Sequence, residues 1–333
     1  MIKSSFEYLT PETLPSAYDF KKKYEDSVYL GGGTDYIPLL KYNLKKPKNV
    51  ISLEKVMELK KIEKDEEGIF IGSMVTLTEI YENRFIIDSF TALAQAARRA
   101  ASPQIRNTGT IGGNVLQDRR CMYFNQSEDW RSNLAPCFKI GGDICHQAPK
   151  SEICRALYYS DIAPALLSLD VEAEIFDGRL RRISVSELIK SHVDRNGLLK
   201  THDFILKGFY IPYLPENCWT KFEKYSLRAS IDFPIMNIAT RYSQNKENRV
   251  AKIIVGAVSP MPIELIDTEV MIINKLDNLT ESKDDIAKFA LSELTKKSQL
   301  VRETGVSIKV KRNTFKNILR AVDDLIFMII QIN

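Results

Sequence analysis

An α+β fold is predicted by three features of this 333-residue chain. A short apolar strand runs into the turn Gly31-Gly32-Gly33 and on into a helical pattern. An Asp177-Gly178 pair separates two strand-like runs, and beyond Cys218 further strand-like runs give way to a helical tail. With 44% hydrophobic residues the chain can bury a substantial core. Its net charge of +4, from 47 basic and 43 acidic residues spread along the sequence, argues against nucleic-acid binding by counterion release. No stretch is apolar for long enough to span a bilayer, and the first residues lack a signal-peptide pattern, so a cytoplasmic location is expected. There cysteines stay reduced, and a cluster of them more often means metal than disulfide.

In chain order, Thr13 or a neighbour caps a first helix with Pro15 in its first turn and Ala17, Phe20 and Tyr24 at helical spacing. Val28 to Leu30 reads as a strand leading into Gly31-Gly32-Gly33-Thr34-Asp35. Thr34 or Asp35 then caps a helix carrying Ile37, Leu40 and Leu44. Strand, free N–H groups and helix start together form a pyrophosphate-binding arrangement. A tight turn needing glycine only for steric reasons is the other reading, because the spacing matches neither a Rossmann fingerprint nor a P-loop and no P-loop lysine is present. Asn49 to Leu53 is a strand. Residues 63–68 form a hairpin turn before a strand from Ile69 to Gly72. Thr76-Leu77-Thr78-Glu79 is a capping box. A longer helix runs from about Ser89, with Leu93, Ala96, Ala97 and Ala100 on one face, and ends near Ser102-Pro103. Val171 to Phe176 and Leu180 to Ile183 pair through the Asp-Gly turn, and Ser184 or Ser186 caps the next helix. Strands follow at Trp219 to Tyr225, Ile235 to Tyr242 and Val250 to Val258. Ser282 and Asp285 frame a capping box, and Phe315 to Ile329 carries a clear helical face. The apolar end of that last segment, 327–330, serves either the core or a partner.

The region from Asn114 to Asp161 keeps no period, yet it holds Cys121, Cys137, Cys145 and Cys154, four of the chain's five cysteines. Met122, Tyr123, Phe124, Trp130, Leu134, Phe138 and Ile140 make it too apolar for a solvated tail, so something must hold it. The intervals of sixteen, eight and nine positions match neither the paired ligands of zinc modules nor the ferredoxin runs. A metal, ordinary buried thiols and disulfides all stay open on spacing alone. His146, His192 and His202 form no nucleophile or metal constellation, and no catalytic acid-base residue is assigned.

The blocks Leu30-Gly31-Gly32-Gly33-Thr34-Asp35, Ile105 to Asn114 with its Thr110-Ile111-Gly112-Gly113-Asn114, and Ser160-Asp161-Ile162-Ala163-Pro164 occur in this order. Lys224-Tyr225-Ser226-Leu227-Arg228 with Asp232-Phe233-Pro234, and Gly256-Ala257-Val258-Ser259-Pro260, follow them. Together they resemble the FAD-binding subunit of the molybdenum hydroxylases, the family of carbon monoxide and xanthine dehydrogenases. The resemblance implies a two-subdomain FAD-binding fold of type 2 (PCMH-like) over residues 1–55 and 56–217. A C-terminal domain of antiparallel sheet and helices would cover 218–333. Most members pass almost directly from the Gly-Gly-Asn block to the Ser-Asp block, whereas here an insert at 117–157 intervenes. That insert is similar to the one in the β subunit of 4-hydroxybenzoyl-CoA reductase, whose cysteines bind a 4Fe-4S cluster; carried over, the ligands would be Cys121, Cys137, Cys145 and Cys154. Cys218 would be a small buried side chain.

The same resemblance implies that the backbones of Leu30 to Asp35 and of Thr110, Ile111, Gly112, Gly113 and Asn114 embrace the FAD pyrophosphate. Asp161 would hold the ribityl chain, with a helix cap as its other reading. Lys224 would sit near the isoalloxazine, with a solvated strand lysine as its other reading. The partners implied are a molybdopterin-binding large subunit, a small subunit with two 2Fe-2S clusters and a ferredoxin-like donor. The activity implied is the reductive dehydroxylation of an aromatic acyl-CoA. An oxidative hydroxylase, or a structural zinc insert, are the alternatives.

Overall fold

The computed structural model describes residues 2, 4–194, 196–197, 203–228, 231–245, 248–302 and 306–332. His202 lies outside them. The chain forms two compact units that do not follow chain order. One comprises the residues up to Glu79, Ser102–Ala156 and Asp170–Pro212; the other comprises Ile80–Ala101, Leu157–Leu169 and the residues from Tyr213 onward.

The first unit opens with a three-stranded parallel sheet of β1 (Glu7–Leu9), β2 (Ser27–Leu30) and β3 (Asn49–Ser52), in the order β1-β3-β2. Parallel strands need a connection that returns to the starting edge, and here the returns carry helices at Leu14–Lys23 and Tyr36–Lys41. The first helix begins as its residues predict: Thr13 accepts from the Ser16 N–H at 3.2 Å in a capping box, and Pro15 occupies the first turn, where a missing N–H costs nothing. Leu14, Ala17, Ile51, Leu53, Val56 and Leu59 bury the apolar side of this layer. The second sheet of this unit contains β4 (Ile62–Lys64), β5 (Gly68–Gly72), β6 (Glu172–Phe176), β7 (Leu180–Ser184) and β8 (Ile205–Pro212). It is antiparallel throughout, in the order β4-β5-β8-β6-β7. Gly178 takes φ +102 in the β6–β7 turn, the left-handed geometry that selects glycine there.

The second unit is built on an antiparallel sheet of β9 (Asn217–Tyr225), β10 (Met236–Gln244), β11 (Arg249–Gly256) and β12 (Ile263–Glu264). Helices Ile266–Asn274, Leu279–Lys297 and Asn317–Ile332 supply the other half of its core, where Ile253, Ile286, Leu294, Phe315, Val322 and Ile329 are buried together. Two helix boundaries depart from expectation. The helix expected from about Ser89 runs from Thr91 to Arg99, preceded by a separate short helix Arg84–Ser89, and Ser102 with Pro103 starts the next short helix rather than ending this one. The helix expected to start at Ser282 begins three residues earlier at Leu279, because burial of Leu279 in the core outweighs the local cap signal. In the last helix Ile329 is buried, while Phe327 and Ile330 are exposed.

One buried carboxylate in this unit makes its stability pH-dependent. Burial pushes the Glu269 carboxyl up to about 7, with Glu264 and Glu293 adding to the rise and the Ile253 N–H and Lys252 opposing it. A folded-state value above the unfolded one of about 4.3 means that the proton is held more tightly after folding. This stabilisation is therefore complete below about pH 4 and is lost as pH rises through 7. Glu269→Gln keeps an acceptor for the Ile253 N–H. The variant is expected to gain about 1–3 kcal/mol over the parent at pH 8 and nothing near pH 4.5, measured by denaturant unfolding at both pH values. Equal gains at the two pH values would reject the assignment.

Candidate functional site

Both glycine turns wall one cavity of about 410 Å³, within the usual size range of small-molecule sites. β2 ends at Leu30, and the chain then bends through Gly31–Gly33, with Gly33 at φ +72. Gly32 lies so close to the second segment that a β-carbon on it would sit 1.8 Å from the Thr108 carbonyl oxygen. The two turns can meet only because there is no side chain between them.

The turns differ in what they offer a ligand. In the second, the N–H groups are already committed: Ile111 donates to the Val75 carbonyl at 2.9 Å and Gly112 to the Ser73 carbonyl at 2.9 Å. Gly113 donates to the Thr110 hydroxyl at 3.1 Å and Asn114 to the Thr110 carbonyl at 2.9 Å. That turn therefore gives close approach and shape rather than free donors, and of its residues Thr110, Gly112 and Gly113 line the cavity. In the first turn, the N–H groups of Gly31, Gly32 and Gly33 meet no protein acceptor among the described residues. These uncommitted donors in the cavity wall suit an anionic group.

Asp35 does not cap the following helix, which carries Leu39 and Leu40 inward and stops before Leu44. Its carboxylate instead receives Arg120 Nη2 at 2.5 Å and the Asp118 N–H at 3.3 Å, tying the first turn to the start of the insert. Although no P-loop lysine is present, Lys21, Lys45 and Lys46 all line the cavity. Lys45 and Lys46 arrive from the loop before β3, and no local motif marks them. Burial lowers the pKa of Lys45, with Asp118 opposing and Lys139 reinforcing the drop. His192 joins the same wall, its Nε2 2.5 Å from the Leu116 carbonyl.

Asp161 and Lys224 lie together in the second unit. Asp161 precedes the helix Ile162–Ser168, but the cap is Ser160, whose hydroxyl accepts from the Ala163 N–H at 2.9 Å. The Asp161 carboxylate receives Lys224 Nζ at 2.8 Å and Asn237 Nδ2 at 2.9 Å. Lys224 is not a solvated strand lysine, since its side chain is 6% exposed and it also donates to the Arg99 carbonyl at 3.1 Å. Burial pushes the Asp161 carboxyl above the usual carboxylate range, while Lys224 and Asn237 pull it back. Asn237 was not expected from sequence. It joins the pair because β9 and β10 are in register, Lys224 opposite Asn237.

In the insert, the regular pieces include the short helical turns Glu128–Arg131 and Phe138–Ile140 and a bridge between Cys137 and Ile144. Its apolar residues do not form a core of their own: Phe124 is buried, but Trp130, Leu134 and Ile140 are more than a third exposed. All five cysteines are free thiols. Burial raises the Cys121 thiol, and Cys145 and Cys137 add to the rise. Burial likewise pushes Cys154 up to about 11, with Cys121 and Cys145 adding to it. Cys121 Sγ accepts from the Tyr123 N–H at 3.5 Å, and Cys154 Sγ from the Ala156 N–H at 3.4 Å. Among the described residues, no three Cys, His, Asp or Glu side chains converge as a single metal ion would require. His146 is pinned inside the insert, Nε2 2.8 Å from the Ala135 carbonyl and its ring stacked on Tyr123. Cys218 lies apart on β9, half-buried, its thiol pushed up to about 11 by burial.

Residues 4–214 match the family described as the FAD binding domain in molybdopterin dehydrogenase. The chain is 40% identical over 112 residues to the nicotinate dehydrogenase FAD-subunit of Eubacterium barkeri, a segment spanning 33% of this chain and 38% of that protein's length. Over 280 residues it is 27% identical to the aldehyde oxidoreductase FAD-binding subunit PaoB of Escherichia coli K12, covering 80% of this chain and 86% of the other. Its fold superposes on a chain of the Cu,Mo-CO dehydrogenase with a TM-score of 0.74 at 18% identity, covering 97% and 98% of the two chains. A chain of quinoline 2-oxidoreductase from Pseudomonas putida 86 gives 0.72 at 19%, covering 97% and 96%. The α+β expectation holds. The match over most of the chain, together with a cavity walled by two glycine turns, places this protein in the family of FAD-binding domains of molybdopterin dehydrogenases.

Proposed function

We propose that this chain is the FAD subunit of a molybdenum-containing oxidoreductase complex and that its insert carries a 4Fe-4S cluster. Gly31 to Gly33 offer free N–H groups, and Lys45 and Lys46 add positive charge, where the FAD diphosphate would be held. Asp161, fixed by Lys224 and Asn237, would bind the ribityl chain, and Lys224 would stand near the isoalloxazine. Cys121, Cys137, Cys145 and Cys154 would ligate the cluster. When bound, FAD and the cluster supply electron exchange in pairs and singly, which makes the chain a junction between partners. Those partners are a molybdopterin-binding large subunit, a small subunit with two 2Fe-2S clusters and a ferredoxin-like donor. The complex would remove a ring hydroxyl from an aromatic acyl-CoA.

What supports the cluster reading is the presence of four free thiols within one insert, two of them accepting backbone N–H bonds. The oxidative direction is the second reading, supported by relatives named as nicotinate and carbon monoxide dehydrogenases. Assay of the anaerobically purified complex in both directions separates the two. Cys137→Ser is expected to remove most of the cluster iron and the donor-driven activity while FAD remains bound, read by iron analysis and flavin absorbance. Full iron in that variant rejects the ligand set.

A further inference from the structure

The cavity between the glycine turns is lined by three lysines, Lys21, Lys45 and Lys46, and by three aspartates, Asp26, Asp35 and Asp118. Their formal charges cancel, although the cavity is read as the seat of a diphosphate. Whether it attracts an anion therefore depends on how the carboxylates are neutralised. Asp118 opens the insert and is matched from within it: Lys139 Nζ lies 2.6 Å from its Oδ1, with side chains 2% and 1% exposed. Asp35 belongs to the first glycine turn, which contains no basic residue. Its counter-charge is Arg120, 85 positions away in the insert, Nη2 to Oδ1 at 2.5 Å.

Asp35 is the carboxylate best placed to spoil the site. The N–H groups of Gly31, Gly32 and Gly33 meet no protein acceptor among the described residues. Asp35 follows them by two to four positions, and an aspartate so near free backbone N–H groups competes for them. Its charge would also repel an incoming anion. Neither happens here, because the carboxylate is held by Arg120 and by the Asp118 N–H at 3.3 Å. Both holders lie in the insert. Each side chain of the Asp35–Arg120 pair is 24% exposed, so the pair is less screened than an ion pair on the open surface.

We propose that Arg120 is a positioning residue for the anionic part of the bound nucleotide. It neutralises Asp35 and keeps that carboxylate off the N–H groups of the first glycine turn, which stay open to a diphosphate. The insert thereby conditions the cavity for its cofactor. The inference rests on the reading of the cavity as the FAD diphosphate site.

The experiment is calorimetric titration of ADP and of inorganic pyrophosphate into the whole chain stripped of FAD. It compares the parent with Arg120→Met, Arg120→Lys, Asp35→Asn and the double variant Arg120→Met with Asp35→Asn. Arg120→Met is expected to weaken both probes about tenfold or more, with a smaller loss at high salt. Arg120→Lys keeps the charge and should recover most of the affinity. Asp35→Asn alone is expected to tighten binding, because it leaves the arginine without a counter-charge. The double variant should return to within about threefold of the parent, since no carboxylate is left to neutralise. A mere strut would behave otherwise: Asp35→Asn would weaken binding, and the double variant would be no better than Arg120→Met. Either result overturns the proposal, as does unchanged binding in Arg120→Met or in Asp35→Asn. If Arg120→Met does not fold, Asp35→Asn decides alone, tighter binding supporting the proposal and unchanged or weaker binding overturning it. A parent that binds neither probe shows instead that the diphosphate reading of the cavity has failed, and the proposal falls with it.

Discussion

Gly32→Ala is expected to leave the cavity between the two glycine turns unable to hold the FAD proposed for it. The new β-carbon would stand 1.8 Å from the Thr108 carbonyl oxygen and 2.8 Å from its carbon, and both are backbone atoms that no rotamer change can move. Overpacking that side chains cannot relieve costs about 1–3 kcal/mol, and a backbone clash lies at the upper end of that range. The strain will separate the first turn from the segment leading into the second, so the two walls of the cavity part together. The variant is expected to purify with less than about a tenth of the parent's FAD per chain, measured from flavin absorbance after denaturation. Gly113→Ala is the comparison, because its nearest obstacle is the Thr110 hydroxyl at 3.0 Å, a group with more freedom to shift. It should retain most of the flavin. Full FAD in Gly32→Ala would mean that the contact between the turns does not shape the site.

Lys224→Met should cost the second unit about 3–5 kcal/mol, the usual penalty when one member of a buried ion pair is removed and the other is left uncompensated. Asp161 would keep Asn237 as a partner, but its charge would remain in a site that is 4% exposed. The Arg99 carbonyl would lose a donor as well. The double variant Asp161→Asn with Lys224→Met is expected to be more stable than Lys224→Met alone, because the amide carries no charge to strand. Denaturant unfolding of the two single variants and the double gives the coupling directly. Additive losses would show that the 2.8 Å contact carries no energy of its own.

Much of the local structure could be written from the residues alone. Thr13 with Ser16, Thr76 with Glu79, and Asp177 with Gly178 form the caps and turn their side chains dictate, because donor and acceptor lie within a few residues of each other. The clustering of Cys121, Cys137, Cys145 and Cys154 and the two glycine turns were equally legible, since composition and order survive in one dimension. The cavity's composition was not. The N–H groups of Ile111 and Gly112 are consumed by carbonyls of Val75 and Ser73, and Lys45 reaches the cavity from a loop that carries no motif. Asp161 has the sequence position of a helix cap, yet it bonds instead to two residues on neighbouring strands 63 and 76 positions away. Lys139 and Asp118 likewise look like ordinary surface charges in a loop, and they meet 21 positions apart in an interior. Caps, turns and periodicity are short-range and leave their mark on the residues nearby. Which polar groups are already satisfied, and which charges are shut away from water, depends on contacts between distant segments and exists only once the chain has folded.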